Sequence, residues 1–413
     1  MLRSASTGRD TKQLVKQIYP TSITGKGADY GGSVLDHAFG RSDPYTLGVE
    51  EEYMLLDGET YDLVQHIDTV LQAMSGHELE PRINAELMQS VLEIATPVCH
   101  TPADVHRELL KLRTYVTQVG REKSLRVGSA GTHPFSLFER QRITARDRYR
   151  NLVDQLQYIA RRELIFGMHI HVAIDDPEKA IQVVNGLLPQ LGPLLALSAS
   201  SPFWRGEPTG LSSSRQMVFA AFPRSGPPPR FRDYSDYAEV VGQLERTGCI
   251  ADYTHIWWDI RLHPRLGTVE IRICDAVTRV EDATSLAAYC QALVKMLCEQ
   301  HERGEEIPSY HRILTTENKW LAARYGLEAP VMDLESGARN RVPVAQLIRK
   351  TLKQIEPHAR ELGSERELEG IGEILARGNG ADRQLRVFNA NRDIVEVVEE
   401  IAKATEAVPA ATA

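Results

Sequence analysis

The sequence lacks the marks of several common protein classes. Its 413 residues include only five cysteines, an odd number without a CxxC pair, so neither a disulfide framework nor a paired-thiol metal site is expected. Basic residues are fewer than acidic ones: the sequence has 48 lysines and arginines and 56 aspartates and glutamates, for a net charge of -8. That balance argues against nucleic-acid partners and anionic-membrane surfaces, which need basic patches.

Long apolar runs are also missing. The N-terminus has no apolar signal-peptide core, and the best internal candidate, residues 186–199, is interrupted by Pro189, Gln190, Gly192 and Pro193. A membrane-spanning helix needs about 20 predominantly apolar residues, and a signal peptide needs an apolar segment near the N-terminus. We therefore expect a soluble, cytoplasmic protein with no membrane partner.

The usual phosphate-binding loops are absent as well. The sequence contains no GxxxxGK[ST], and no GxGxxG lies between a predicted strand and helix. These are the loops by which sequence alone identifies most nucleotide sites. A nucleotide, if this protein uses one, must be bound in another way.

The patterns that are present predict an α+β chain of three regions. Residues 1–43 are rich in small polar and charged residues without periodicity, and we expect a partly disordered extension. Residues 44–340 mix strands with helices, among them a helix that begins after Thr101-Pro102, a good N-cap and first-turn pair. Residues 341–413 have a helical pattern, and we expect them to pack on the core.

Three predicted strands carry a polar pair on one face and apolar residues on the other, because side chains alternate along a strand. The pairs are Glu50 with Glu52, His169 with His171, and Glu270 with Arg272. For any one strand, a solvated sheet face explains the alternation equally well. Two neighbouring carboxylates repel each other unless a cation lies between them, so the three strands together favour a polar floor with a function.

This floor suits a magnesium ion. Mg²⁺ takes oxygen ligands and binds through a few carboxylates together with substrate phosphates. Carboxylate oxygens are available from Glu50, Glu52, Glu93 and Glu270, and the planar fork of Arg272 suits a phosphate or a carboxylate. An HxH pair with a carboxylate also forms a zinc triad, so a zinc-dependent amidohydrolase stays open as an alternative, although the surplus of acids favours the harder ion.

Seven segments, in order along the chain, resemble the glutamate–cysteine ligase type 2 family of carboxylate–amine ligases. They are GVEEE at 48–52, QSVLEIAT at 89–96, GTHPF at 131–135, FGMHIHV at 166–172, ASSP at 199–202, SSR at 213–215 and GTVEIR at 267–272. The resemblance covers residues 45–326, and more loosely the C-terminal helices.

The resemblance implies a glutamine-synthetase-like fold, in which a curved antiparallel sheet flanked by helices forms an active-site trough. It also implies a two-step reaction with ATP and Mg²⁺: ATP phosphorylates the γ-carboxylate of glutamate, and an amino-acid amine such as cysteine attacks the acyl phosphate. A homodimer is a further expectation from the family. A different amine acceptor and a non-catalytic binding protein on the same fold stay open as alternatives.

The same resemblance implies a set of site residues. Metal ligands are expected at Glu50, Glu52, Glu93 and Glu270, cofactor contacts at His169, His171 and Arg261, and catalytic roles at Arg272 and Arg215. A plain salt bridge is the alternative for Arg261. Asp275 is expected to support Arg272. Some relatives carry a carboxylate where this chain has Gln89, and Glu86 is the alternative source of that acid.

Overall fold

The computed structural model describes residues 36–308, 310–337 and 340–406. Most of the predicted N-terminal extension lies outside these residues. Its last part, residues 36–43, contacts the core: Ala38 N donates to Pro264 O, Gly40 N donates to Ile174 O, and the Phe39 side chain is buried. The boundary of the folded part therefore falls earlier than residue 44.

Most strands belong to one seven-stranded sheet, and the others form short two-stranded pairs. The strands are β1 Leu47–Asp57, β2 Ile83–Ala85, β3 Val91–Ala95, β4 Leu125–Gly128, β5 Met168–Ala173, β6 Phe203–Trp204, β7 Glu207–Pro208, β8 Ser225–Gly226, β9 Trp257–Trp258, β10 Ile260–His263, β11 Thr268–Ile271, β12 Pro330–Met332 and β13 Arg341–Pro343.

The helices occupy the connections and the C-terminal part of the chain. They are α1 Ile67–Met74, α2 Pro102–Glu122, α3 Asp147–Leu156, α4 Tyr158–Arg161, α5 Pro177–Leu187, α6 Leu191–Ser198, α7 Ser214–Phe219, α8 Tyr234–Arg246, α9 Val280–Glu302, α10 Arg312–Tyr325, α11 Val344–Leu362, α12 Glu365–Arg377, α13 Gly380–Asn391 and α14 Ile394–Glu406.

The sheet is antiparallel, in the order β10-β11-β5-β1-β3-β2, and β4 pairs with the far end of β1. The long strand β1 thus has β5 and then β4 along one edge and β3 along the other. Helices α2, α5 and α9 pack against the sheet, and their buried residues join one core with the inward side chains of the strands. The α+β class and the helix-flanked antiparallel sheet are confirmed.

The helix predicted after Thr101 is confirmed: the Thr101 hydroxyl accepts from Asp104 N, and Asp104 accepts from Thr101 N in return. Further along the chain, the short helices α3 and α4 are separated at Gln157, whose φ of 51° lies in the left-handed region.

The C-terminal helices contribute to the same two large cores as the sheet. Val344, Ile348 and Ile371 of α11 and α12 join the core beneath the sheet, and Val397 and Ile401 of α14 join a second core. The 22-residue segment Pro177–Ser198 is long and apolar enough for a membrane span by composition, but 78% of its apolar 18-residue window is buried inside the fold, as in a core helix.

Candidate active site

The register of the sheet brings the predicted polar pairs onto one floor. Glu50 lies opposite His169, and Glu52 lies opposite Glu93. On the neighbouring strands, His171 lies opposite Glu270, which in turn lies opposite Arg261. All of these side chains line one cavity of about 320 Å³, together with Arg215 and Arg272. The structure therefore brings all nine predicted site residues together.

Glu50 is the link between the two histidines. Its Oε2 lies 3.0 Å from His169 Nδ1, and its Oε1 lies 3.5 Å from His171 Nε2. Burial raises the pKa of Glu50, but the contacts with the two histidines outweigh burial and hold that pKa well below its ordinary value. Burial lowers the pKa of His169 to about 4. The neutral His169 ring therefore donates its Nδ1 proton to Glu50 and keeps a lone pair on Nε2.

Glu270 is held between two guanidinium groups. Arg261 donates to both of its oxygens, from Nε at 2.7 Å and from Nη2 at 3.0 Å, and Arg272 Nη1 donates to Oε1. Arg261 Nη1 also donates to the carbonyls of Thr254 and Ile256, each at 3.0 Å. Arg261 therefore forms a salt bridge that fixes Glu270 within the cavity wall, and its contact with a cofactor stays a prediction.

A second group of carboxylates forms no such hydrogen bonds with guanidinium groups in the described part of the chain. Glu52, Glu86 and Glu93 can place one oxygen each within 4.8 Å of the others. Burial and the charge of Glu86 raise the pKa of Glu52 to about 7. Burial and the three neighbouring acids raise the pKa of Glu93 well above its ordinary value. Crowded buried carboxylates of this kind indicate a place for a cation, because a bound cation relieves their mutual repulsion.

Glu86, not Gln89, joins this group. Glu86 lines the cavity and belongs to the carboxylate triad, whereas Gln89 is not among the residues lining the cavity. The backbone of Gln89 instead bonds to Arg142 O and to Ile67 N. The acid that the sequence lacks at position 89 is therefore available from a position three residues earlier.

Two further groups of potential ligands share Glu50, and one of them also shares Glu93 with the first group. Glu50 with His171 and Glu270 forms one, and Glu50 with Glu93 and His169 forms the other. Among the described residues, several buried polar atoms of the cavity also have no hydrogen-bond partner: His171 Nε2, Arg215 Nε, Arg272 Nε and Glu163 Oε2. Unpartnered buried polar atoms are costly, and their concentration here fits a cavity that receives polar ligands.

Arg215 enters the cavity from α7, close to the sheet. Its Nη1 and Nη2 lie 3.4 and 3.5 Å from the carbonyls of Ile273 and Arg272. Gly167 makes this approach possible, because a Cβ at Gly167 would overlap Arg215 Nη2. A glycine is therefore needed directly before the HxH strand, because the Arg215 side chain occupies the space that a Cβ at this position would fill.

The prediction that Asp275 supports Arg272 is wrong. Asp275 accepts hydrogen bonds from Ser200 N, Ser201 Oγ and Ser213 Oγ at 2.6–2.9 Å, and it lies 3.9 Å from Arg215 Nη1. Strand β11 ends at Ile271, and Asp275 faces the serine-rich segments instead. The ASSP and SSR segments therefore serve the site indirectly, because their contacts with Asp275 position Arg215.

Sequence reasoning missed several cavity residues, among them a histidine and two charged side chains. His263, Glu163 and Arg148 line the cavity. His263 lies two residues after Arg261 on β10, so strand alternation, applied to that strand, would have indicated it. Arg148 lies on α3 and Glu163 follows α4, and a helical pattern by itself does not indicate that either side chain reaches a cavity formed by distant strands.

Comparison with known proteins explains this arrangement. Residues 46–403 match the glutamate-cysteine ligase family 2 (GCS2). The chain belongs to this family. The match includes the C-terminal helices as well as the sheet, so both are parts of one family unit.

Relatives in this family are similar over nearly their whole length. A protein from Rubrobacter xylanophilus, provisionally named glutamate–cysteine ligase 2-1, is 42% identical over 87% of this chain and 95% of its own. A provisionally named glutamate–cysteine ligase 2 from Solibacter usitatus is 42% identical over 87% of this chain and 93% of its own.

Solved structures show the same fold at low sequence identity. The glutamate–cysteine ligase of Francisella tularensis, in complex with AMP, has a TM-score of 0.64 at 13% identity, over 90% of this chain and 91% of that one. A bifunctional glutathione synthetase from Pasteurella multocida has a TM-score of 0.66 at 16% identity, over 88% of this chain and 52% of that one.

Proposed function

We propose that this protein is an ATP-dependent carboxylate–amine ligase of the glutamate–cysteine ligase type. The observation that carries the proposal is one cavity, in a chain of this family, that is lined by six carboxylates and four arginines. ATP and the carboxylate that it activates are both anionic, so they repel each other unless positive charge lies between them. Arg215 and Arg272 supply such charge within the cavity.

Magnesium is the metal that the residues fit. Glu52, Glu86 and Glu93 form an all-oxygen group, which is the kind of site that Mg²⁺ prefers, and the two Glu–His groups beside it would hold further ions. When bound by these carboxylates, Mg²⁺ would supply positive charge that neutralises the charge developing on the phosphate. These carboxylates outnumber the histidines, which again favours magnesium over zinc.

The protein's own residues orient the substrates and shield them from water. The guanidinium groups of Arg215 and Arg272 hold the anionic groups of the two substrates in one orientation. Arg261 keeps Glu270 in place through its two-point contact. The cavity lies deep beside the sheet, and its walls of Ile165, Phe219 and Phe222 exclude water, which would otherwise hydrolyse an activated carboxylate.

Glutamate and cysteine are the proposed substrates. The names of the relatives support this pair, and the AMP complex of the Francisella tularensis enzyme supports an adenine nucleotide. The amine acceptor is the finer part of the proposal, and another amino acid in place of cysteine fits the same chemistry. We also infer a cytoplasmic location and a homodimer, the latter to be checked by light scattering.

The test is phosphate release from ATP with magnesium and glutamate, with cysteine and then other amino acids added in turn. We expect release that depends on the amine and disappears in Glu50→Gln. The matched control is Glu59→Gln, which changes an exposed glutamate just beyond β1 and should leave turnover unchanged. Zinc-dependent amide hydrolysis without ATP would instead support the amidohydrolase, and tight ligand binding without turnover would support a binding protein.

A further inference from the structure

One buried carboxylate of the cavity belongs to none of the three potential metal groups. Glu163 lies between α4 and β5 and lines the cavity. Its Oε2 is buried, with no hydrogen-bond partner among the described residues. The groups that hold potential metal ligands contain Glu50, Glu52, Glu86, Glu93 and Glu270 but not Glu163. The carboxylate therefore needs a different partner.

Glu163 shares its cavity with a group of apolar side chains. Ile165, Phe219 and Phe222 form one buried hydrophobic cluster and line the same cavity. Among the arginines, Arg215 has the largest effect on the pKa of Glu163 and lowers it. The Nη atoms of Arg215, however, lie near the carbonyls of Ile273 and Arg272. A buried carboxylate is unfavourable unless it is protonated or paired with a cation, so a positively charged group bound at this point of the cavity would stabilise the ionised form of Glu163.

The amine acceptor supplies that group. The free amine of an amino acid is an ammonium at neutral pH, and it must lose protons before its nitrogen can attack an activated carboxylate. We propose that Glu163 binds the ammonium of the amine acceptor and accepts its proton, with Ile165, Phe219 and Phe222 forming the wall of the acceptor subsite. This inference rests on the proposed function and assigns a residue to its second step, the attack of the amine on the acyl phosphate.

The proton balance of this step is complete. The ammonium gives one proton to the Glu163 carboxylate and becomes a neutral amine. The amine nitrogen then forms a bond to the carbonyl carbon of the acyl phosphate, and the bond from that carbon to the phosphate oxygen breaks. The second proton of the nitrogen leaves with the phosphate as hydrogen phosphate. The amide is the product, and Glu163 releases its proton to solvent.

The basicity of Glu163 agrees with this role. Burial raises its pKa to about 8, while Arg215 lowers it and Glu52 raises it further. A proton acceptor works best when its pKa lies near the working pH. The apolar wall should also select among amine acceptors, because it favours an amino acid with an apolar side chain. Cysteine fits this class, since its thiol behaves as a small apolar group.

The test compares two nucleophiles in Glu163→Gln. Cysteine, or whichever standard amino acid the wild type accepts, arrives as an ammonium, whereas hydroxylamine is uncharged at neutral pH and needs neither the carboxylate's charge nor its proton acceptance. We expect amino-acid-dependent phosphate release to fall by about 100-fold or more, while hydroxylamine-dependent phosphate release and hydroxamate formation stay unchanged. Asp154→Asn, which removes an exposed acid from the nearby α3, is the control and should change neither activity.

Retained hydroxylamine activity also shows that the variant is folded and that the carboxylate is still activated. Undiminished activity with the amino acid in Glu163→Gln would overturn the inference, and so would an equal loss with both nucleophiles, because Glu163 would then act before the amine. A wild-type enzyme that releases no phosphate with either nucleophile would contradict the proposed function itself, which separates the two failures.

Discussion

At the scale of single residues, neighbouring glutamates on β1 have different tasks because the strand alternates. Glu50 faces the cavity, whereas Glu51 points into the core beneath the sheet. There Glu51 accepts from Arg113 Nε at 2.9 Å and from Nη2 at 2.5 Å, and Tyr53 Oη also donates to it. Arg113 bonds in turn to the carbonyls of Val277 and Thr278, so this pair joins the sheet to α2 and to the start of α9.

Glu51→Gln should therefore destabilise the fold, while Glu50→Gln should abolish turnover. Removing one charge of a buried ion pair leaves the other charge uncompensated, at a cost of about 3–5 kcal/mol. Urea unfolding should show that loss for Glu51→Gln and a much smaller change for Glu50→Gln, whose side chain is partly exposed. Equal stability of Glu51→Gln and wild type would show that the buried pair is not a structural support.

Arg272→Lys should lower turnover and leave the fold intact. Arg272 contacts Glu270 through Nη1 and keeps a buried Nε without a hydrogen-bond partner in the described structure. A lysine retains the charge but loses the planar fork that holds a phosphate or carboxylate at two points. We expect kcat to fall by about 100-fold, as for the loss of one stabilising donor, with an unchanged melting temperature. Wild-type kcat in this variant would remove Arg272 from the proposed chemistry.

At the scale of elements, the site depends on close approaches between β5 and segments distant in sequence. The start of β5 receives Arg215 from α7 over Gly167, and Gly167 N donates to Glu52 Oε2. A side chain at Gly167 would also come within 3.3 Å of His169 Nε2. The glycine thus allows an arginine, a histidine and a carboxylate to meet.

Gly167→Ala should reduce activity more than stability. The added Cβ must displace Arg215 Nη2, the far end of a long side chain, so the fold can adapt while the arginine moves away from its position. We expect a fall in kcat/KM of about 10-fold or more, since small misplacements of catalytic groups are costly. Gly372→Ala is the control, because its Cβ would meet no atom within 4 Å, and alanine should be neutral or slightly stabilising in that helix.

The sequence predicted the strand faces but not the contacts between distant segments. Alternation over two residues placed the cavity pairs of β1, β5 and β11 correctly, because that rule is local. It gave no information on Asp275, whose partners lie 62–75 residues away in sequence. Glu163 was equally inaccessible to prediction, because its place in the cavity depends on how an irregular segment packs against α7.

At the scale of the whole molecule, the C-terminal helix α14 is fastened to the far end of the sheet. Glu406, whose side chain is 2% exposed, accepts from Arg126 at 2.7 and 2.8 Å and from Arg121 at 2.8 Å. It also accepts from Val127 N on β4. Val397 and Ile401 of the same helix are buried against this end of the molecule. The last described residue therefore connects the C-terminal helices to the strand that pairs with β1.

Glu406→Gln should lower stability in a pH-dependent way. Burial raises the pKa of Glu406, but the hydrogen bonds from Arg126 and Arg121 outweigh burial and hold it below its ordinary value of 4.5. A lowered pKa in the folded state contributes stability above that ordinary value, and the contribution is lost as the pH falls through the folded-state pKa. We expect a loss of about 2 kcal/mol at neutral pH, which shrinks on acidification below about pH 4.

Chemical unfolding at several pH values measures this effect. The control is Glu399→Gln on the same helix, which pairs with the exposed Lys403 and should change stability by less than about 0.5 kcal/mol. A Glu406→Gln difference that stays constant from neutral to acidic pH would show that the carboxylate's charge does not hold α14 in place.

The central claim is that ATP activates a carboxylate for attack by an amine, and an isotope measurement tests it most directly. Glutamate labelled with ¹⁸O in its γ-carboxylate is incubated with the enzyme, ATP, magnesium and the amine, and the released phosphate is analysed by mass spectrometry. An acyl phosphate that passes its bridging oxygen to the leaving phosphate predicts one ¹⁸O atom in each phosphate released. Phosphate without the label, formed while the amide accumulates, would contradict the account.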